Sequence, residues 1–231
     1  MPFRYVLCIA ALSTSLAAAQ SEPFSPKVLP PLGTTKLAKS LEDARPHAQH
    51  IWRDPPPTNP DGTVNAYIEI SRGDRQKWEL DMRANKRAVD RMMPESLGGY
   101  PVNYGIVPQT VSYDGDPFDA LVLGPPIAGG ETVRGIIVGL MYMEDEKGLD
   151  SKVVLARPGP DGKPLHQLTA ADQQRMADYF KRYKEHQADI GAYSKVPGWG
   201  TIAEAKKLVD TTHAFFLKCR GRATQSCSIE R

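Results

Sequence analysis

The sequence predicts an α+β fold, mainly β, in which a small closed or nearly closed barrel of strands is flanked by helices late in the chain. Three observations predict it. Strand-like runs rich in Val, Ile, Tyr and Leu recur between residues 64 and 156, ahead of any strong helical pattern. Two helix starts with capping residues, Thr169 and Thr201, come only afterwards. Finally, 20 prolines and 19 glycines among 231 residues supply the turns that many short strands need.

Taken in order, residues 1–19 read as an export signal peptide. Arg4 precedes an apolar run from Tyr5 to Leu16, and Ala17-Ala18-Ala19 forms a small-residue cleavage site before Gln20. The run is too short and too interrupted by Ser and Thr to span a bilayer, so the expected location is periplasmic or secreted, with no membrane association after cleavage. Residues 20–62 are rich in Pro, Ser and Lys and end in Asp54-Pro55-Pro56-Pro57-Thr58-Asn59-Pro60. They read as an extended arm wrapped on the domain, with a short helix between about Leu41 and Trp52.

The main domain is expected over residues 63–218. Tyr67-Ile68-Glu69-Ile70 starts a strand, and Gly73-Asp74 turns it into Lys77-Trp78-Glu79-Leu80, giving a hairpin. Further strands are expected at Arg87–Met92, Val102–Val107, Ala120–Leu123, Thr132–Met143 and Lys152–Ala156. A helix capped by Thr169 to Asp172 places Met176, Ala177, Phe180 and Tyr183 on one face. The next opens with a Thr201 and Glu204 capping box and is expected to bury Ile202, Ala205, Leu208, Val209 and Phe216. Residues 219–231 form a tail. Cys8 leaves with the signal, and the remaining pair, Cys219 and Cys227, either closes a disulfide in an oxidising compartment or stays as free thiols.

A formal net charge of +2, with 41% hydrophobic and 24% charged residues, fits one globular domain and gives no nucleic-acid footprint. The informative chemistry is local. Tyr113-Asp114-Gly115-Asp116-Pro117-Phe118-Asp119 crowds three carboxylates into six residues and runs into the apolar strand Ala120–Leu123. Carboxylates so close repel unless a divalent cation sits among them, although a polar turn capping a strand accounts for the same residues. The glycine position and the missing terminal glutamate exclude an EF-hand loop.

A second acidic segment, Glu144-Asp145-Glu146-Lys147-Gly148-Leu149-Asp150-Ser151-Lys152, ends the long strand from Thr132. Alone it is a charged turn. Strand ends of a small barrel can converge on one mouth, however, and Glu69 and Glu79 add to the acidity there. Lys77, Arg91, Lys152 and Lys184 supply cations at interleaved positions, and Tyr100, Tyr104 and Tyr183 supply phenols. Carboxylates, divalent metal and Lys, Arg and Tyr donors together suit a small, highly charged phosphate ester or anhydride.

These residues resemble the family I soluble inorganic pyrophosphatases. The signature is Asp114-Gly115-Asp116-Pro117-Phe118-Asp119. It is accompanied in family order by Ile68-Glu69-Ile70, Lys77-Trp78-Glu79-Leu80-Asp81, Val89-Asp90-Arg91, Tyr100-Pro101-Val102-Asn103-Tyr104-Gly105, Asp145 to Lys152 and Phe180-Lys181-Arg182-Tyr183-Lys184. The resemblance implies a five-stranded OB-like barrel and hydrolysis of pyrophosphate to two phosphates. Its cofactor would be several Mg2+ ions, with Mn2+ or Zn2+ able to substitute.

Carried over by position, Asp114, Asp119 and Asp150 would hold the activating metals. Asp145 and Asp150 would meet those arriving with substrate, and Glu69 a further one, partly through water. Asp116 would act as general base or orienter of the nucleophile, with Lys77, Arg91 and Tyr104 completing the catalytic set. Lys77, Arg91, Tyr104, Lys152, Tyr183 and Lys184 would bind substrate, with Tyr100, Glu79 and Glu146 supporting them from behind. The family also implies a homo-oligomer, a hexamer in preference to a dimer. The export signal and the Pro-rich arm fall outside the likeness and leave the physiological role open. A broader exported phosphatase and a non-catalytic metal or phosphate binder are the rival readings; a pure binder has no need of Asp116 beside metal ligands.

Overall fold

Every residue of β1 (Val64–Ile70) is buried, and so is every residue of β8 (Lys152–Ala156). Strands buried on both faces must be paired at both edges and covered on both sides. The computed structural model, which describes residues 34–220, shows how this is done. Strand β1 pairs antiparallel with β4 (Asn103–Val107), and β4 with β5 (Phe118–Leu123). Strand β5 runs parallel to β8, which pairs antiparallel with the long β6 (Thr132–Asp145). Residues Thr132 to Gly135 of β6 then return to β1, so the pairings close a ring of five strands.

Side-chain alternation along β5 and β8 separates two of the three core clusters. Ala120 and Val122 of β5 and Val153 and Leu155 of β8 face one cluster, which includes Ala205 and Val209 of α3 (Ile202–Cys219). Leu121, Leu123, Val154 and Ala156 face the other, with Met176 and Phe180 of α2 (Ala170–Arg182). Both helices start where the sequence places them. Thr169 with Asp172 and Thr201 with Glu204 each form a complete capping box.

The ring brings backbones close at Gly105, which lies opposite Ile68 across the β1–β4 ladder. A Cβ there would overlap the Tyr67 carbonyl and the Ile68 Cα, backbone atoms that cannot move without opening the ring. Gly105→Ala is therefore expected to destabilise the fold by about 3 kcal/mol, a fall in Tm of roughly 6–12 °C by calorimetry. An unchanged Tm would contradict this account of the packing.

Several expectations are corrected. The expected hairpin between residues 67 and 80 does not form. The loop after β1 is tied instead to the segment before β4, with Gly73 N–H donating to the Tyr100 carbonyl and Tyr100 N–H to that of Asp74. Strand β2 (Gln76–Asp81) leaves the ring and pairs with β3 (Lys86–Met92) as a separate ribbon. Its turn is stabilised by the Asp81 carboxylate accepting from Arg83 and Ala84 N–H, both at 2.9 Å.

The segment before residue 62 is not extended throughout, and its helix lies earlier than expected. Helix α1 spans Thr34–Ala44 and stops ahead of Pro46, while Arg53 donates to the Ala44 carbonyl at 2.7 Å and to that of His47 at 2.8 Å. Ile202, the first residue of α3, is 56% exposed, and the buried stripe begins only at Ala205. Two strands had no sequence reading. Strand β7 (Gly148–Leu149) folds back on the end of β6, and β9 (Ser194–Gly200) pairs along the outer edge of β6. Pro197 and three nearby Gly and Trp positions hid β9, and an edge is where a proline is tolerated. None of the described helices is long and apolar enough to cross a membrane. The proposed signal peptide and Cys227 lie outside the described residues; Cys219 is disulfide-bonded.

Candidate active site

The Asp114–Asp119 loop leaves the core at Val111 and returns as β5. Ser112 N–H donates to the Asp116 carbonyl at 2.7 Å and Gly115 N–H to that of Ser112 at 3.0 Å, closing a tight turn that requires φ of 88° at Gly115. The Asp114 carboxylate accepts from Asp116 N–H at 3.0 Å, and Tyr113 packs on Phe215 of α3. The loop is thus held by its own backbone and by a ring contact, leaving Asp116 and Asp119 to face outward.

They face a cleft of about 480 Å³. Its walls bring together Glu69, Lys77, Glu79, Arg91, Tyr104, Asp114, Asp116, Asp119, Asp145, Glu146, Asp150, Tyr183 and Lys184. Of the residues singled out from sequence, only Lys152 and Tyr100 stand behind the walls. Parallel pairing of β5 with β8 sets Lys152 beside Asp119, and its ammonium bridges Asp119 at 2.6 Å and Asp150 at 2.8 Å. Tyr100 is buried and its hydroxyl lies 3.4 Å from that of Tyr183.

On the opposite wall, β1 and the β2–β3 ribbon meet. Leu80 N–H donates to the Glu69 carboxylate at 2.6 Å, which ties the ribbon to the ring. Lys77 contacts Glu79 and reaches Asp90 at 3.0 Å, and Arg91, opposite Lys77 in the ribbon, binds the same Asp90 oxygen at 2.6 Å. At the third wall Lys184, just past α2, binds Asp145 and Glu146, each at 2.6 Å.

Nine carboxylates and five cations line this cleft, and burial shifts several of them. Burial drives the carboxyls of Glu69 and Asp150 well above the ordinary range, against the Leu80 N–H and the Lys152 ammonium respectively. Burial works against the charges of Lys152 and Lys77 as well. Asp119 and Asp150 outweigh it for Lys152, and Tyr183 and Glu79 for Lys77, so both ammoniums are raised. Asp116 is pushed up to about 7 by burial and by Asp114, with Lys36 opposing. Burial also raises Tyr104 well above its usual value, keeping the phenol protonated as a donor.

The site fits divalent cations by donor chemistry: hard carboxylate oxygens in excess of cations, several of them buried. Among the described residues no three such groups form a ready-made cage. The Lys152 ammonium instead holds Asp119 and Asp150 together. Arg91 Nε is buried with no hydrogen-bond partner among the described residues, a donor left available at the cleft.

Sequence reasoning gave no role to Asp90, Lys36, Ser40, Lys147 or Gln187, which also line the cleft. Asp90 was accessible in principle, since it precedes Arg91 within the same ribbon. Lys36 was not, since 80 residues separate it from its partner Asp116.

A strand ring with an acidic cleft rimmed by Lys, Arg and Tyr suits a class, the hydrolases of small phosphate esters or anhydrides. Comparison with known proteins gives the family. Residues 66–216 match the family model for inorganic pyrophosphatase. The inorganic pyrophosphatase of Rhodospirillum rubrum is 37% identical over 169 residues, 69% of this chain and 92% of that one. That of Saccharolobus solfataricus is 36% identical over 154 residues, 63% and 87% of the two chains. Among solved structures, the Thermus thermophilus inorganic pyrophosphatase is similar with a TM-score of 0.67 and 31% identity, covering 73% of this chain and 99% of that one. The Coxiella burnetii inorganic pyrophosphatase gives 0.63 and 34%, over 69% and 98%. The chain belongs to the inorganic pyrophosphatase family and is a hydrolase of that family.

Proposed function

We propose that the protein hydrolyses inorganic pyrophosphate to two phosphates with Mg2+ as cofactor, using an activated water, outside the cytosol. The observation that carries this is the convergence of the Asp114–Asp119 and Asp145–Asp150 clusters with Lys77, Arg91 and Lys184 in one cleft. About 480 Å³ suits a small polyanion with its cations.

Asp114, Asp119, Asp145, Asp150 and Glu69 are the residues that would hold the metal. When bound there, Mg2+ supplies charge neutralisation and acidifies coordinated water. The chain's own groups do the rest. Asp116 orients the attacking water and takes its proton, a task suited to a carboxyl pushed up to about 7. Lys77, Arg91, Lys184, Tyr104 and Tyr183 donate to phosphate oxygens and spread the charge that develops on the leaving phosphate. Lys152 keeps Asp119 and Asp150 in register, and Asp90 aligns Lys77 with Arg91. The closed ring of pairings supports the OB-like barrel reading, and the disulfide at Cys219 suits an oxidising compartment.

The test is a panel of pyrophosphate, triphosphate, ATP and p-nitrophenyl phosphate with Mg2+. Pyrophosphate is expected to turn over far faster than the rest, and comparable turnover of the ester would refute the reading.

A further inference from the structure

Helix α1 lies before the family-matched residues 66–216, yet it supplies two residues to the cleft, Lys36 and Ser40. They are four apart and share one helix face. The adjacent face carries Leu37 and Leu41. Leu37 is fully buried in a cluster with Trp52 and Phe216, and this clamps the helix to the core. The Lys36 ammonium contacts the Asp116 carboxylate, the residue assigned to the attacking water.

An ammonium that stayed on Asp116 would occupy the oxygen that the chemistry needs. It need not stay. The Lys36 side chain is 49% exposed, and an ion pair with one partner so open is weakly held. A polyanionic phosphate entering a cleft that holds more carboxylates than cations is the stronger partner. Three of the other cleft cations, Lys77, Arg91 and Lys184, likewise rest on carboxylates.

We propose that Lys36 is a further substrate-contacting residue, its ammonium exchanging Asp116 for a phosphate oxygen of bound pyrophosphate. This rests on the pyrophosphatase reading. The exchange frees Asp116 as the substrate docks, and it makes the segment outside the family-matched core a part of the active site.

The test compares full-length wild type with Lys36→Ala and Lys36→Arg at saturating Mg2+. Lys36→Ala is expected to raise KM about tenfold, the scale of one lost charge-assisted contact, with kcat within about twofold. Lys36→Arg should restore KM. Calorimetric titration of inorganic phosphate in Mg2+ should show the same loss of affinity without turnover. Unchanged KM and phosphate affinity in Lys36→Ala would overturn the proposal. So would a fall in kcat at constant KM, which would mean that Lys36 acts only through Asp116. Should wild type fail to hydrolyse pyrophosphate, the functional reading falls, and the phosphate titration decides for or against Lys36 on its own.

Discussion

Asp116→Asn is expected to lower kcat for pyrophosphate by about 10²- to 10⁴-fold, the usual worth of a positioned general base. Affinities for Mg2+ and pyrophosphate should stay within a few fold of wild type. The substitution keeps shape and removes the charge and the basic oxygen. The loop should survive it, because its turn is closed by main-chain bonds, Ser112 N–H to the Asp116 carbonyl and Asp116 N–H to the Asp114 carboxylate. Stability moves the other way. A carboxyl raised to about 7 binds more protons folded than unfolded, so ionised Asp116 opposes folding at neutral pH and the amide relieves that cost. The variant should melt no lower than wild type. As pH falls through the Asp116 pKa, wild-type kcat should fall as well, with the acid limb at or below about 7 because cations in the cleft favour the ionised form. The Asn variant should lack that limb. Phosphate-release kinetics across pH, with calorimetry for binding, check each part; unchanged kcat would remove Asp116 from the mechanism.

What the sequence could reveal was set by range. Alternation over a few residues marked β1, β3, β4, β5, β6 and β8, and a side-chain cap four residues long marked the starts of α2 and α3. The partner of β2 depended on a loop tied to Tyr100, some 25 residues away, so the local turn at Gly73-Asp74 suggested the wrong hairpin. The two acidic clusters were legible because each is contiguous. Their convergence follows from the β5–β8 parallel pairing, which no local pattern encodes and which alone explains why Lys152 sits between Asp119 and Asp150. Lys36 gave no signal for the same reason: α1 reaches the cleft only because Leu37 docks among Trp52, Ile106 and Phe216.

Chelating divalent cations is expected to abolish turnover and to lower Tm, and the second effect tests the site without relying on activity. Nine carboxylates line the cleft against five cations, and burial holds Glu69 and Asp150 far above their ordinary pKa. Folding the metal-free protein at neutral pH therefore works against uncompensated charge. A ligand that binds the folded state alone stabilises it by about 2.7 kcal/mol at 100 times its Kd, here a rise in Tm of roughly 5–11 °C. The sign of the pH dependence follows from the raised carboxyls. The folded chain holds protons that the unfolded chain has lost, so the stability of the metal-free protein declines as pH rises through the window between the two pKa values. Mg2+ displaces those protons, and the gain it gives should be larger at about pH 8 than at about pH 5. Sodium chloride at matched ionic strength should not reproduce the gain, because screening acts weakly on buried charges. If Mg2+ and matched salt shifted Tm equally, the cleft would be a merely acidic surface and the metal assignment of Asp114, Asp119 and Asp150 would fail.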